Sequence, residues 1–140
     1  MTNQEKVKEF LLKHNKVLPN KPCIPDYKII DLMLKLIQEE KAELDDALHA
    51  KDIIEVADAL VDLEVVIHNA SLYCGIVTQP LFDEVHRSNM TKDGGLRTDG
   101  KILKGFNYSP PRLEPLLKEQ GMLDKLNIEI KIETKRDNKK

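Results

Sequence analysis

A chain of 140 residues has the usual size of one domain and is long enough to bury a modest hydrophobic core. Hydrophobic residues make up 41% and charged residues 33% of the sequence, which excludes the charge-rich, apolar-poor profile of a disordered protein. The 22 basic and 24 acidic side chains nearly cancel to a formal charge of −2, so we expect neither a nucleic-acid polymer nor a membrane as a partner.

The first predicted element is a short helix that begins at a capping box, Thr2 followed by Glu5. Apolar residues then recur at helical spacing, and we expect the helix to stop near Lys16. Three prolines lie between Val17 and Pro25, and each disfavours helix in its own position and in the residue before it. This segment is therefore predicted to be a connecting loop.

Two long helices without internal glycine or proline are predicted next. The first is capped by Asp26 and runs to about Ala50, and the second begins at a capping box at Asp52 and runs to Tyr73, before Gly75. The connection between them is so short that we expect the two helices to fold back as antiparallel neighbours.

The remaining elements are shorter. A third helix is predicted from Pro80 to about Met90, and the next four glycines predict a long glycine-rich loop. A last short helix is predicted at residues 112–120, and alternation at residues 128–132 is typical of a strand. We expect an all-α, antiparallel helical-bundle domain at residues 1–120, and a C-terminal extension at residues 121–140 with a possible strand and a frayed basic tail.

Carboxylates lie in the apolar stripe of the first long helix. At about 100° per residue, one line along this helix contains Ile29, Met33, Leu36, Glu40, Glu43 and Ala47, with Glu39 at its edge. Acids on an amphipathic helix normally lie on the solvent side, and a glutamate in a buried stripe seldom occurs without a partner.

The second long helix repeats this anomaly. A narrow polar line contains Glu55, Asp58, Asp62, Asn69 and Tyr73. Apolar flanks on both sides of the line, which include Leu60 and Ile67 on one side and Val61 and Val65 on the other, predict burial on both sides. Glu64, His68 and Ser71 take the side that is expected to face solvent.

Packing these helices antiparallel gathers the carboxylates near the connected ends, where like charges repel. The repulsion is relieved by raised pKa values, by basic partners or by a bound metal, and few cations lie nearby. Oxygen ligands suit Mg²⁺, Mn²⁺ or Ca²⁺ better than Zn²⁺. We expect Mg²⁺, with Mn²⁺ able to replace it; the alternative is a solvated acidic groove.

Both acid motifs resemble those of a known family. Glu39-Glu40-Lys41-Ala42-Glu43 followed by Glu55-Val56-Ala57-Asp58 is similar to the E-x-x-E then E-x-x-D signature of the MazG-like, all-alpha nucleotide pyrophosphohydrolases. The resemblance covers roughly residues 26–118 and continues through the run from Phe82 to Lys92 and the segment from Asp99 to Pro111. It is nearest to the phosphoribosyl-ATP pyrophosphohydrolase-like branch, some of whose members act on dUTP.

The resemblance implies an enzyme that hydrolyses a nucleoside triphosphate, with dUTP favoured, to the monophosphate and pyrophosphate. It implies Glu40, Glu43, Glu55 and Asp58 as Mg²⁺ ligands, and Asp62 as a residue that holds the metal or its water shell. It also implies Glu39 as the base that orients or deprotonates the attacking water.

Acids cannot bind phosphate, so cations must come from another element. The cationic candidates lie at the end of the third helix and in the glycine-rich loop: His86, Arg87, Lys92, Lys101 and Lys104. Asn89, at the end of the same helix, is a candidate for contact with the base or sugar. Each lysine is otherwise a solvated surface charge, and the resemblance favours Lys92 and Lys104 as ligands. Asn69 and Tyr73 continue the acid line, so they either contact the base or sugar or lie in the core.

Cys23 and Cys74 have no metal or redox spacing, and the amino terminus has no signal-peptide pattern, so we expect a cytoplasmic protein. By resemblance, wide apolar flanks imply a homodimer or homotetramer.

Two rival protein classes also place carboxylates inside helices. A di-iron carboxylate bundle needs Glu-x-x-His on two helices, a pattern that does not occur in the sequence. A non-catalytic nucleotide- or metal-binding regulator would keep the ligands, and the presence of Glu39 argues against it.

Overall fold

Five helices form the regular structure of residues 1–123, the part of the chain that the computed structural model describes. Within this part the predicted all-helical class is confirmed. Contacts divide the chain into two compact units, Met1–Val77 and a second that begins at Thr78. The first unit contains α1 (Asn3–Lys13), α2 (Tyr27–His49) and α3 (Ile53–Tyr73), and the second contains α4 (Thr78–Asn89) and α5 (Glu114–Glu119).

The first three helices begin at the side-chain caps that the sequence predicts. Thr2 and Glu5 form the reciprocal capping box of α1. Asp26 accepts from two backbone amides at the start of α2, and Asp52 does the same at the start of α3. A cap of this type stabilises a helix by about 1 kcal/mol, because it satisfies amides that have no partner within the helix.

The same helices end in one shared motif, in which a residue with positive φ follows the last turn. Asn15, Lys51 and Gly75 take φ values of 57°, 55° and 64°. The next residue then donates its amide back to a carbonyl five positions earlier, as in Asp52 N–H to Ala47 O at 3.2 Å. Because Asn15 turns the chain in this way, α1 ends at Lys13, short of the predicted Lys16.

α3 is the central helix of the first unit, since both α1 and α2 pack against it. The core cluster joins Val7 and Leu11 of α1 to Leu72 and Tyr73 at the end of α3. Ile29 and Met33, near the start of α2, pack against this same cluster. The start of α2 therefore meets the end of α3, which is the antiparallel pairing that the short connection predicts.

The prediction that Glu64, His68 and Ser71 face solvent was wrong for His68 and Ser71, which are half-buried, whereas Glu64 is exposed. α1 lies over this side of α3, with the Asn3 amide donating to Glu64 at 2.7 Å. The Gln4 amide donates to the Ser71 hydroxyl at 2.8 Å and to the Ile76 carbonyl at 2.7 Å. Polar side chains on both helices form this contact, so the hydrophobic pattern of α3 contains no sign of it.

Burial on both apolar flanks of α3 was also predicted, and among residues 1–123 it is only partial. Leu60, Val61 and Ile67 keep 52%, 59% and 49% of their surface exposed. Ala59 and Val66 are buried. One chain therefore covers only part of the apolar surface of this helix.

The second unit is organised around Glu84 of α4. Its carboxylate accepts from the Arg87 guanidinium at 2.8 and 2.9 Å and from the Arg112 backbone amide at 2.9 Å. Because that amide binds Glu84, Arg112 lies outside α5, which begins two residues later than predicted.

The segment from residue 90 to 113 folds back on itself without a helix or strand. A single antiparallel bridge pairs Leu96 with Ile102, and Asp93 accepts from the Asn107 side chain at 2.7 Å. Gly105 has a φ of 79°, and a β-carbon there would lie 2.6 Å from the Gly94 amide nitrogen. Only glycine allows the two backbones to approach this closely.

No single helix among the described residues is long and apolar enough to cross a membrane; α3 and α4 meet that criterion only when taken together across the break between them. The predicted strand at residues 128–132 and nearly all of the extension at 121–140 lie outside the described residues.

Candidate active site

The α2–α3 hairpin brings acidic residues of both helices to one cavity. The cavity has a volume of about 410 Å³ and lies at the connected ends of the two helices. Its lining contains three of the predicted metal ligands and two further aspartates, with small residues between them: Glu43, Asp46, Ala47, Ala50, Asp52, Glu55, Asp58 and Ala59. The small side chains of Ala47 and Ala59, both buried, let the helices approach here.

A tighter cluster of carboxylates lies on the same two helices, about one turn farther from their connection. Carboxylate oxygens of Glu40, Glu43 and Asp62 all lie within 4.8 Å of one another. Glu40 and Glu43 are one helical turn apart on α2, and Asp62 lies one turn beyond Asp58 on α3. Glu43 belongs to both the cluster and the cavity lining, so it connects the two groups of acids.

Glu40 occupies the most constrained position in this cluster. Its Oε2 atom is buried and has no hydrogen-bond partner among the described residues. Burial raises the pKa of Glu40, and the nearby charges of Glu43, Asp62 and Glu39 raise it further. A buried oxygen of this kind needs a proton or a cation.

A divalent cation fits these residues. Oxygen ligands of one Mg²⁺ lie roughly 3 to 4 Å apart, and the oxygens of Glu40, Glu43 and Asp62, all within 4.8 Å of one another, are compatible with that spacing after small side-chain shifts. All the donors are carboxylate oxygens, the ligand type that Mg²⁺ and Mn²⁺ prefer. The unpartnered Glu40 oxygen supplies the ligand atom that a cation would satisfy.

The predicted base, Glu39, lies on the exposed edge of α2 beside Glu40. Its charge reaches the cluster, since it contributes to the raised pKa of Glu40. Sequence reasoning did not include Asp46 and Asp52 in the site, although both line the cavity. The available signal was position: Asp46 is one turn beyond Glu43, and Asp52 is the cap of α3.

The two polar residues farther along α3 differ in their surroundings. Tyr73 is 7% exposed and belongs to the core beneath α1, which favours the packing role that the sequence left open. Asn69 is half-buried, and its Oδ1 atom has no hydrogen-bond partner among the described residues. Of the two, Asn69 has the free polar atom that a ligand requires.

The predicted substrate contacts of the second unit begin with Arg87. Its guanidinium donates to Glu84, to the Ser109 hydroxyl at 3.1 Å and to the Pro110 carbonyl at 3.1 Å. The hydrogen bond to Glu84, and then the charge of that carboxylate, raise the pKa of Arg87 in turn. These bonds connect α4 to Ser109 and Pro110, after the loop. Because its guanidinium makes them, Arg87 is less available to bind a phosphate than the predicted lysines.

The other predicted contacts are more available. Asn89, Lys101 and Lys104 are exposed, and Lys92 is half-buried. The Lys104 ammonium lies 5.0 Å from the centre of the Tyr108 ring, which is cation–π distance. Their role toward a phosphate stays a prediction.

Comparison with known proteins identifies the family. The family model for phosphoribosyl-ATP pyrophosphohydrolase matches residues 7–89, more than half of the chain. The match includes every acid of the cavity and the cluster, and it ends before Lys92, Lys101 and Lys104. A search of curated proteins gives no match. The chain belongs to the phosphoribosyl-ATP pyrophosphohydrolase family, within the MazG-like superfamily, and is a hydrolase that acts on phosphoric anhydrides.

Proposed function

We propose that this protein hydrolyses a nucleoside triphosphate between the α- and β-phosphates and releases the monophosphate and pyrophosphate, with Mg²⁺ as cofactor. The observation that supports it most is the carboxylate cluster of Glu40, Glu43 and Asp62, inside the region that matches a pyrophosphohydrolase family. The buried Oε2 atom of Glu40 has no hydrogen-bond partner among the described residues, and this favours a bound cation over an ordinary salt bridge.

Each acid has a proposed role. Glu40, Glu43, Glu55, Asp58 and Asp62 would hold Mg²⁺, which supplies neutralisation of phosphate charge when bound. Glu39 accepts a proton from the attacking water at its carboxylate, and its exposed position leaves it accessible to solvent. The two acid motifs project from rigid helices, so the carboxylates keep their relative positions as the substrate arrives.

The substrate is proposed to be a deoxyribonucleotide, with dUTP favoured. This choice depends on the branch that the sequence resembles. A second candidate is phosphoribosyl-ATP, because the matching family model is named for it. Both substrates contain the same anhydride and release pyrophosphate, so the acids described above serve either one.

Product analysis tests the reaction. The protein is incubated with Mg²⁺ and a panel that contains dUTP, the other common nucleotides and phosphoribosyl-ATP, in water labelled with heavy oxygen. We expect pyrophosphate and labelled monophosphate together, because attack at the α-phosphorus places the water oxygen there. EDTA should abolish turnover.

The outcomes separate the parts of the proposal. Diphosphate with orthophosphate, or label in pyrophosphate, would overturn attack at the α-phosphate. Turnover of phosphoribosyl-ATP alone would make it the substrate in place of dUTP, and the proposed attack at the α-phosphate would stand. Binding of Mg²⁺ and nucleotide without any turnover would favour the non-catalytic regulator.

A further inference from the structure

The two cysteines, far apart in sequence, meet at the end of the first unit opposite the acid cluster. The Cys23 backbone amide donates to the Cys74 carbonyl at 2.9 Å. This bond brings the two backbones into direct contact. Disulfides join Cα atoms separated by roughly 4.4 to 6.8 Å, a range that residues in direct backbone contact can meet.

Tight packing holds this pair together. Gly75 follows Cys74 with a φ of 64°, and a β-carbon at Gly75 would lie 2.1 Å from the Lys21 carbonyl oxygen. The loop before α2 therefore runs directly against the end of α3. Leu18, in the same loop, packs against the core cluster. Both chain segments are fixed by contacts that do not involve the thiols.

The two thiols differ in access. Cys23 is exposed and Cys74 is half-buried, and both are free thiols. Burial raises the pKa of Cys74, and the neighbouring Cys23 thiol raises it further. An external reagent therefore reacts with Cys23 first, and Cys74 is the neighbouring thiol that can react next.

We propose that Cys23 and Cys74 are a thiol pair that a low-molecular-weight disulfide, such as oxidised glutathione, converts to an intramolecular disulfide. The Cys23 thiolate attacks one sulfur of the reagent, forms a mixed disulfide and releases one glutathione thiol. The Cys74 thiolate then attacks the Cys23 sulfur and releases the second. Two electrons pass from the protein to the reagent, and the two thiol protons end on the two released glutathiones.

The cross-link restrains the chain without reaching the acids. It closes a loop of about 50 residues, which removes conformations from the unfolded chain and raises the melting temperature. Glu55 and Cys74 lie near opposite ends of α3, about 28 Å apart at 1.5 Å per residue. Stabilisation by Mg²⁺ should therefore be the same in the reduced and oxidised proteins.

Oxidation of the full chain by oxidised glutathione, followed by mass spectrometry without reductant, tests the pair. We expect loss of two hydrogens and no glutathione adduct. Trypsin should release residues 17–28 joined to residues 52–87, because the Lys21–Pro22 bond resists cleavage and the second fragment contains no internal Lys or Arg. Dithiothreitol should restore the two separate peptides and the lower melting temperature.

Single substitutions separate the two roles. Cys74→Ser should trap glutathione on Cys23, and Cys23→Ser should react at least about tenfold more slowly than the wild type, because its remaining thiol is half-buried. The wild type in urea should also cross-link more slowly than the folded protein. The proposal is overturned if the folded wild type accumulates a stable Cys23 adduct, forms only disulfides between chains, or stays reduced.

Discussion

Glu40 and Glu43 share the apolar stripe of α2 with Met33 and Ala47, and this conflict with helix amphipathicity is what makes them visible in the sequence. The structure adds the reason that the conflict is tolerated. Carboxylate oxygens of Glu40, Glu43 and Asp62 lie within 4.8 Å of one another, with Glu43 exposed and the other two half-buried, so the three charges form one cluster that solvent reaches at Glu43. A carboxylate group of this kind is stable at neutral pH when protons or cations are shared among its members.

We predict that Glu39→Gln lowers kcat by about 10²- to 10⁴-fold and leaves Mg²⁺ and nucleotide affinity nearly unchanged, because a base acts on the chemical step. Isothermal calorimetry and steady-state kinetics on the preferred substrate measure both quantities. Glu43→Gln should show the opposite pattern, with weaker Mg²⁺ binding, because Glu43 belongs to the cluster and to the cavity.

Glu9→Gln provides the matched control for these substitutions, since Glu9 is an exposed glutamate of α1, outside the proposed site. Its kinetics should equal those of the wild type. Near-normal turnover by Glu39→Gln would remove Glu39 from the role of base and leave the metal cluster standing.

The roles of Tyr73 and Arg87 could not be predicted from the sequence. The helical pattern places Tyr73 on the acid line, but the core position of this residue depends on where α1 docks. Arg87 is a cation near a predicted loop, but its guanidinium bonds to Glu84, Ser109 and Pro110. In both cases a partner distant in the chain decides the role, and a periodicity contains no information about such partners.

The helices themselves were the most predictable elements. Caps at Asp26 and Asp52 and the stop at Gly75 are local signals, so the ends of α2 and α3 follow from a few adjacent residues. The polar part of the docking of α1 was not predictable, because Asn3 and Gln4 bond to residues that lie more than 60 positions away in the sequence. The start of α5 was predicted too early for a similar reason, since the Arg112 amide is taken by Glu84.

We predict that Glu84→Gln destabilises the protein at neutral pH and that this effect disappears in acid. Hydrogen bonds from Arg87 and the Arg112 amide lower the pKa of Glu84 to about 2, from an ordinary 4.5. A carboxylate with a lowered pKa stabilises the fold above its unfolded pKa, and this stabilisation is lost as the pH falls through the folded value. Urea unfolding should therefore show a wild-type advantage that shrinks between pH 4.5 and about 2.

Glu119→Gln, in an exposed position of α5, is the comparison for this series. Its unfolding free energy should follow that of the wild type across the whole pH range. If Glu84→Gln also follows the wild type, the network between α4 and residues 109–112 does not contribute to stability.

Among residues 1–123, apolar surface is uncovered on both flanks of α3, where Leu60 and Val61 are more than half exposed. We predict that the protein is a homodimer or homotetramer, because an apolar surface of this extent is normally covered by a partner. Light scattering should give a mass of at least twice the 16.0 kDa of one chain. Leu60→Lys or Val61→Lys should lower that mass, since a lysine cannot be buried there without a partner.

Val17→Lys is the control, because Val17 is 90% exposed in the loop before α2. This substitution should leave the mass unchanged. A 16.0 kDa particle at micromolar concentration would contradict the oligomer and would mean that the apolar flanks of α3 face solvent.

The turn at Ala50 and Lys51 also determines when the acid cluster can form during synthesis. All six predicted acids lie between Glu39 and Asp62, so the complete set is present once a single hairpin has left the ribosome. Contacts this close in sequence have a small loop-closure entropy and form early. The nascent hairpin therefore gathers its negative charges before the segment from residue 78 onward has left the ribosome, and a cation bound at this stage would act on the folding of the chain as well as on its chemistry.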